Sequence, residues 1–313
     1  MSKPTSLSSG KEFDLIRTAF SRLGDRIEGA GDDAAVFSVG RERCVISTDM
    51  SVENTHFRMG WMAPDELGFR CAMASLSDLA AMAAEPLGVV AGVGVSPDLP
   101  DDFLGEVMGG IGEAAADVGA HVWGGDTVRA EHLTINVTVV GHASGEPLLR
   151  SGVDVGDQLL VTGKLGGPAS ALAAWTDGRE PSETARARFV RPEARIREAL
   201  WLRDHGAKAM IDVSDGLVAD AAHLSAASRV ECVIELENVP RHDSCETVHA
   251  AAVSGEEYEI LIAIPGDADG FVDRFGKEFD LELTRVGRVQ KGSGVRVEHH
   301  GQAVSNLAVF RHF

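Results

Sequence analysis

The sequence predicts a two-domain α/β protein. Short strand-like apolar runs alternate with helical stretches through both halves. The texture turns to Gly, Pro and Asp between residues 145 and 156, as a connection would. A length of 313 residues is enough for two domains of ordinary size. Aromatics make up only 5 % of the chain, so the cores must rest on Ala, Val and Leu.

Residues 1–10 are polar and are expected to be mobile. Phe13, Ile16, Ala19, Phe20 and Leu23 recur at helical spacing and predict a helix over 12–23. Residues 34–39 and 43–48 predict two short strands around the turn Gly40-Arg41-Glu42. A long helix over 64–84 opens with Pro64, Asp65 and Glu66 in its first turn. Its Ala- and Met-rich interior predicts close packing. A Val- and Gly-rich strand over 87–95, a helix over 101–118 and a half-buried strand over 133–141 follow. The boundary is placed so that 11–147 and 148–313 form the two domains. The second half reads as a strand over 158–162, a Gly-rich turn and a helix over 168–175. A helical pattern over 185–205 is interrupted by Pro192. A strand over 210–213, a helix over 217–225 and strands over 230–236, 259–264 and 284–289 complete it.

A formal net charge of −19 argues against nucleic acid or an anionic membrane as partner. It leaves room for a phosphorylated small molecule, because bound cations reverse the local sign. Cys44, Cys71, Cys232 and Cys245 lack the paired spacing of a zinc site. No run approaches the ~20 apolar residues of a membrane span, and the N-terminus has no apolar signal core. A cytoplasmic protein is expected.

Acidic residues cluster beside small ones at five places: Gly31-Asp32-Asp33, Ser47-Thr48-Asp49, Ser77-Asp78, Gly124-Gly125-Asp126-Thr127 and Asp212-Val213-Ser214-Asp215-Gly216. Asp and Gly also mark ordinary turns, and Asp32 fits that reading best. Five clusters of one type point instead to carboxylates converging on a cation, with magnesium and its phosphate ligands the natural candidate. Thr48 offers a hydroxyl and a carbonyl. Asp78 lies deep in an apolar helix, so Ser75, Ser77 or a metal must satisfy it. Two glycines before Asp126 would let a backbone approach a phosphate. Ser214 or Asp215 could simply cap a helix. Gly163-Lys164-Leu165-Gly166-Gly167 has the strand-to-helix geometry of an anion site, without a Walker A pattern. His56 alone is a weak signal.

Together GDDAAV (31–36), STDMSVENTHF (47–57), SLSDLAAMAAEP (75–86), GGDTVR (124–129), VGDQLLVTGKLG (155–166) and DVSDGL (212–217) resemble the thiamine-monophosphate kinases. The order and spacing match from about residue 11 to the C-terminus. The wider superfamily includes aminoimidazole ribonucleotide synthetase, selenophosphate synthetase and a hydrogenase-maturation carbamoyl dehydratase. The last two use a reactive Cys that this chain lacks before Cys44 and at its end. The resemblance implies ATP-dependent phosphorylation of thiamine monophosphate to thiamine diphosphate, with ATP as co-substrate and several magnesium ions as cofactor. It implies magnesium positions at Asp33, Ser47, Thr48, Asp49, Asp78, Asp126, Asp212 and Asp215. It implies nucleotide contacts at Gly125, Asp126, Arg150 and Ser214, and thiamine phosphate contacts at His56, Glu256 and Phe310. It also implies a homodimer whose N-terminal mixed sheets form a joint β-barrel, with the C-terminal domain completing the site. Three positions depart from the family pattern: Glu257 in Ser254-Gly-Glu-Glu-Tyr-Glu-Ile260, the terminal Val309-Phe310-Arg311-His312-Phe313, and Met108 in place of an aromatic. Another ATP-dependent reaction of the superfamily, such as amide activation, and a non-catalytic acidic metal-binding module are the competing readings.

Overall fold

The computed structural model describes residues 11–27, 30–266 and 268–304. The expected mobile segment 1–10, Phe310 and the terminal aromatic segment lie outside them. The first half runs α1 (Lys11–Leu23), β1 (Ala35–Val39), β2 (Glu42–Val52), α2 (Pro64–Ala81), β3 (Glu85–Val95), α3 (Phe103–Asp117), β4 (His121–Arg129) and β5 (Thr134–Ala143). The second half opens with β6 (Gln158–Thr162), α4 (Gly167–Thr176), α5 (Glu183–Val190), α6 (Ile196–Asp204), β7 (Ala209–Asp212) and α7 (Leu217–Ser228). It continues with β8 (Glu231–Glu235), α8 (Val248–Ala252), β9 (Ile260–Ile264), α9 (Asp269–Glu278), β10 (Leu283–Gln290), β11 (Gly294–His299) and β12 (Gln302–Ala303).

The strands form two mixed sheets, in the orders β1-β2-β5-β3-β4 and β12-β11-β8-β10-β6-β9-β7. In the first sheet β2, β5 and β3 pair antiparallel, and the α3 crossover brings β4 parallel to β3. Successive side chains alternate between faces. Val45, Val89, Ala91, Val137 and Val139 are therefore buried against α2 and α3. Phe37, Val39, Met50, Val90, Trp123 and Val128 remain exposed, and the pairing registers put them on the opposite face.

Helix α2 begins with Pro64 at its first turn, and Glu66 Oε2 accepts the orphan N–H of Ala63 at 2.9 Å. It packs on α3 almost backbone to backbone. A Cβ at Gly68 would lie 1.9 Å from the Val107 carbonyl oxygen, and one at Gly110 would lie 1.8 Å from that of Asp65. One apolar cluster joins Leu76, Val89 and Val137 of the first half to Met210, Ile260, Ile262 and Phe271 of the second. The two halves therefore share a core, and residues from mid-β2 and from the ends of α2 and β7 meet between them.

The pattern over 185–205 resolves into α5 and α6. Pro192 lacks an N–H and disfavours helical geometry at Arg191, so the chain leaves the helix there. Strands β4, β11 and β12 and helices α8 and α9 were not legible in the sequence. The largest departure is β4, because Gly124-Gly125-Asp126-Thr127 reads as a turn and forms an exposed edge strand. Gly125 is required by packing within the sheet. A Cβ there would lie 1.8 Å from the Ala91 carbonyl oxygen on β3. Gly125→Ala is expected to destabilise the fold by about 2 kcal/mol or more by forcing β3 and β4 apart. Urea denaturation measures this, and unchanged stability would refute the packing argument.

Candidate functional site

Three carboxylates meet at the junction of the halves. Asp33 precedes β1, Asp78 lies in the last turn of α2 and Asp212 ends β7. Each offers an oxygen within 4.8 Å of the others. Ser47 points from β2 into the same place, and its hydroxyl donates to Asp78 Oδ2 at 2.5 Å. Neither Ser75 nor Ser77, the alternatives to a metal at Asp78, satisfies it. Ser75 donates to the Val137 carbonyl at 3.2 Å, and Ser77 donates to Asp212 Oδ2 at 2.7 Å. Helical spacing places both on α2 but turns them toward other neighbours.

Arg150, in the connection between the halves, grips Asp33 with two bonds, Nη2 to Oδ1 at 2.7 Å and Nε to Oδ2 at 3.1 Å. Its backbone N–H donates to Asp32 Oδ1 at 2.7 Å, so Asp32 anchors that connection. One arginine does not balance three carboxylates. Burial, then Asp49 and Asp212, push the Asp78 carboxyl well above its usual range. Burial, then Asp33, push Asp212 up to about 8. Burial pushes Asp49 up to about 6. Such a cluster holds protons or a cation. Its hard oxygen donors suit magnesium.

Strand alternation sorts the remaining candidates. Ser47 and Asp49 lie opposite the buried Val139 and Val137, on the inner face. Thr48 lies between them and turns outward, where its hydroxyl pairs with Thr138 Oγ1 at 2.9 Å and Asn136 Oδ1 at 3.2 Å. Its hydroxyl therefore faces away from the three carboxylates. Asp126 is on the outer face of edge strand β4, exposed, and accepts the Thr127 N–H at 2.9 Å. It stands three strands from β2, about 14 Å at ordinary strand spacing. Asp126 and Gly125 are not brought into the carboxylate trio.

The Asp212–Gly216 turn leads from β7 into α7. Its backbone N–H groups at Ser214, Asp215 and Gly216 all point to Asp220 Oδ2, at 3.1, 3.2 and 3.0 Å. Asp220, missed in the sequence, thus fills the capping role expected of Ser214 or Asp215. That leaves Ser214 exposed and Asp215 half-buried at the turn. Asp215 groups with Asp220 and His223 within 4.8 Å. The expected anion site at 163–167 is filled from within. The Gly166 N–H donates to Glu257 Oε1, and burial pushes that carboxyl up to about 8. Glu257 is therefore a structural cap for α4. Met108 packs against the first-half core.

A cavity of about 540 Å³ opens beside the carboxylates. Asp49, Asp78, Asp212, Ser214 and Asp215 share its lining with His56, Trp61, Arg70, Glu256 and Tyr258. His56 Nδ1 accepts the Val52 N–H at 3.0 Å, so the neutral ring carries its proton on Nε2. Glu256 is held against the Asp212–Asp215 turn, its N–H donating to the Ser214 carbonyl at 2.7 Å. Trp61 stacks on Trp175 with ring centroids 5.1 Å apart, and Phe189 closes edge-on. Trp61, Arg70 and Tyr258 were not singled out as site residues in the sequence. An arginine in an otherwise Ala-rich helix was the available signal.

The AIR synthase related N-terminal domain model matches residues 31–143, and its C-terminal counterpart matches 154–300. Thiamine-monophosphate kinase of Methanopyrus kandleri is 34 % identical over 304 residues, 94 % of this chain and 93 % of that protein. The Mycobacterium tuberculosis enzyme of the same name is 32 % identical over 286 residues, 91 % of this chain and 85 % of that protein. The chain belongs to the thiamine-monophosphate kinase family. A solved structure described as AaThiL complexed with AMPPCP and TMP superposes with a TM-score of 0.85 at 27 % identity, over 96 % of this chain and 97 % of that one. Thiamine-monophosphate kinase from Stenotrophomonas maltophilia gives 0.79 at 30 % identity, over 96 % and 98 %. The hydrogenase maturation protein HypE shares the fold at 18 % identity, with a TM-score of 0.71 over 90 % and 92 % of the two chains. The two-domain α/β architecture is thus that of the kinase family and its wider superfamily.

Proposed function

We infer that the chain transfers the γ-phosphoryl group of ATP to thiamine monophosphate, giving ADP and thiamine diphosphate. The observation that carries this reading is a single cavity lined both by converging carboxylates, Asp49, Asp78 and Asp212, and by groups able to bind an organic ring. The named relatives, and a similar fold holding an ATP analogue together with TMP, support it.

Phosphoryl transfer needs positioning and charge neutralisation more than covalent chemistry. The acceptor is itself a phosphate, so an oxygen of it attacks the γ-phosphorus directly as the bond to the β-phosphate oxygen breaks. No phospho-enzyme and no side-chain base are invoked. Asp33, Asp49, Asp78 and Asp212, with Ser47 and the Thr48 carbonyl, would hold magnesium, and Asp126 and Asp215 are further ligand candidates. The ion supplies charge screening between donor and acceptor phosphates. Arg150, Ser214 and Gly125 are assigned to the nucleotide. His56, Glu256 and Phe310 are assigned to the acceptor. A homodimer fits the exposed apolar face of the first sheet, which a second copy would cover as a joint barrel.

The test is direct. Protein, magnesium, ATP and thiamine monophosphate are incubated and thiamine diphosphate is measured. Stoichiometric ADP and thiamine diphosphate are expected, from a species of twice 33.1 kDa by light scattering. A folded protein that makes neither would overturn the reading, and a labelled phospho-enzyme formed from ATP alone would overturn direct transfer.

A further inference from the structure

Arg70 stands in mid-α2 with 5 % exposure. A guanidinium in such a place must have its donors matched. Its Nη1 donates to the Phe189 carbonyl and its Nη2 to Glu256 Oε2. The guanidinium carbon lies 3.7 Å from the Phe189 ring centroid and 5.9 Å from that of Tyr258. Tyr258 Oη donates to the same Glu256 oxygen at 2.5 Å. Glu256 and Tyr258 both take left-handed backbone angles, φ +65° and +55°. Non-glycine residues keep such angles only where the surroundings enforce them. Two buried donors and a strained backbone therefore fix one carboxylate at the cavity wall, its side chain 28 % exposed.

We propose that Arg70 is a positioning residue that neutralises and aims Glu256, so that Glu256 meets the acceptor substrate as a hydrogen-bond acceptor for its uncharged ring amino group. The inference rests on the thiamine phosphate reading. A carboxylate already paired with a buried guanidinium has little net charge left for a cationic ring. It keeps its directional acceptor capacity. Arg70 itself has both terminal nitrogens engaged, so it acts through Glu256 and not on a phosphate.

The experiment is a double-mutant cycle read as KM and kcat for both substrates. Arg70→Gln and Glu256→Gln are each expected to raise KM for thiamine monophosphate about tenfold, the loss of one charge-assisted hydrogen bond. KM for ATP should stay within about twofold, and the double variant should be no worse than Glu256→Gln alone. Tyr258→Phe, which removes one donor and keeps the ring, should raise the same KM by about threefold and should also add nothing in the Glu256→Gln background. It serves if Arg70→Gln does not fold. Oxythiamine monophosphate keeps the cationic ring and lacks the amino group, so wild type should discriminate against it and Glu256→Gln should not. Additive effects, a parallel rise in KM for ATP, or equal use of both thiamine analogues by wild type would overturn the inference while leaving the kinase reading intact. Absence of turnover by folded wild type would overturn both.

Discussion

Replacing Asp212 with Asn is expected to lower kcat by about a thousandfold or more while leaving the metal-free fold at least as stable as wild type. Asp212 sits at the end of β7, 3 % exposed, within reach of Asp33 and Asp78. An amide keeps the oxygen that accepts from Ser77 Oγ, so the local hydrogen bond survives. What disappears is one negative charge from a place where burial and Asp33 already disfavour it. Stability should therefore hold or rise in EDTA, and magnesium affinity and turnover should fall together. Thermal melting in EDTA and single-turnover product formation measure the two halves of the prediction. An unfolded variant would make Asp212 a structural residue, and an active one would remove it from the metal site.

Metal-free protein is expected to lose several kcal/mol of stability, on the order of 5, between pH 6.5 and 8, and magnesium should recover the share due to Asp212 and Asp78. A carboxyl whose folded pKa is raised binds more protons folded than unfolded between the two values, so stability falls as pH rises through that interval. Asp212, pushed up to about 8, and Asp78, pushed well up, act in this sense. Glu257 and Asp220 act likewise from outside the trio, chiefly through burial, and their share should persist with magnesium present. Burial holds His223 down at about 3 against an ordinary 6.5. It therefore opposes stability only below about pH 6.5, and starting at that pH excludes it. Urea denaturation at the two pH values, with EDTA and with magnesium, decides the matter. A metal-free stability that is flat or rising with pH, or a slope indifferent to magnesium, would refute the account.

Much of this was legible in the sequence. The long α2, the β2 strand and the strand-turn-helix at Asp212 follow from apolar period, Pro64 and the DVSDGL turn. The acidic positions stand out by composition and by small neighbours. Strand β4 was hidden because its two glycines and its charges read as a turn, and only the parallel pairing to β3 makes it a strand. The helix-terminus anion site at 163–167 failed for a similar reason. Its occupant is Glu257, far away in sequence and brought there by the tight segment after α8. The serine alternative for Asp78 falls because the nearest serines in sequence lie along the helix, whereas the hydroxyl that reaches it comes from β2.

The sequence by itself determined the types of most elements, the acidic inventory and the family. Those depend on local periodicity and on motifs that survive in order along the chain. Only the tertiary structure decided that Asp33, Asp78 and Asp212 meet, that Thr48 and Asp126 face the other side of the sheet, and that Arg70 finds Glu256 across 186 positions. The physical reason is that charge sets what a carboxylate needs, whereas strand register and the shared core set which groups are near enough to supply it.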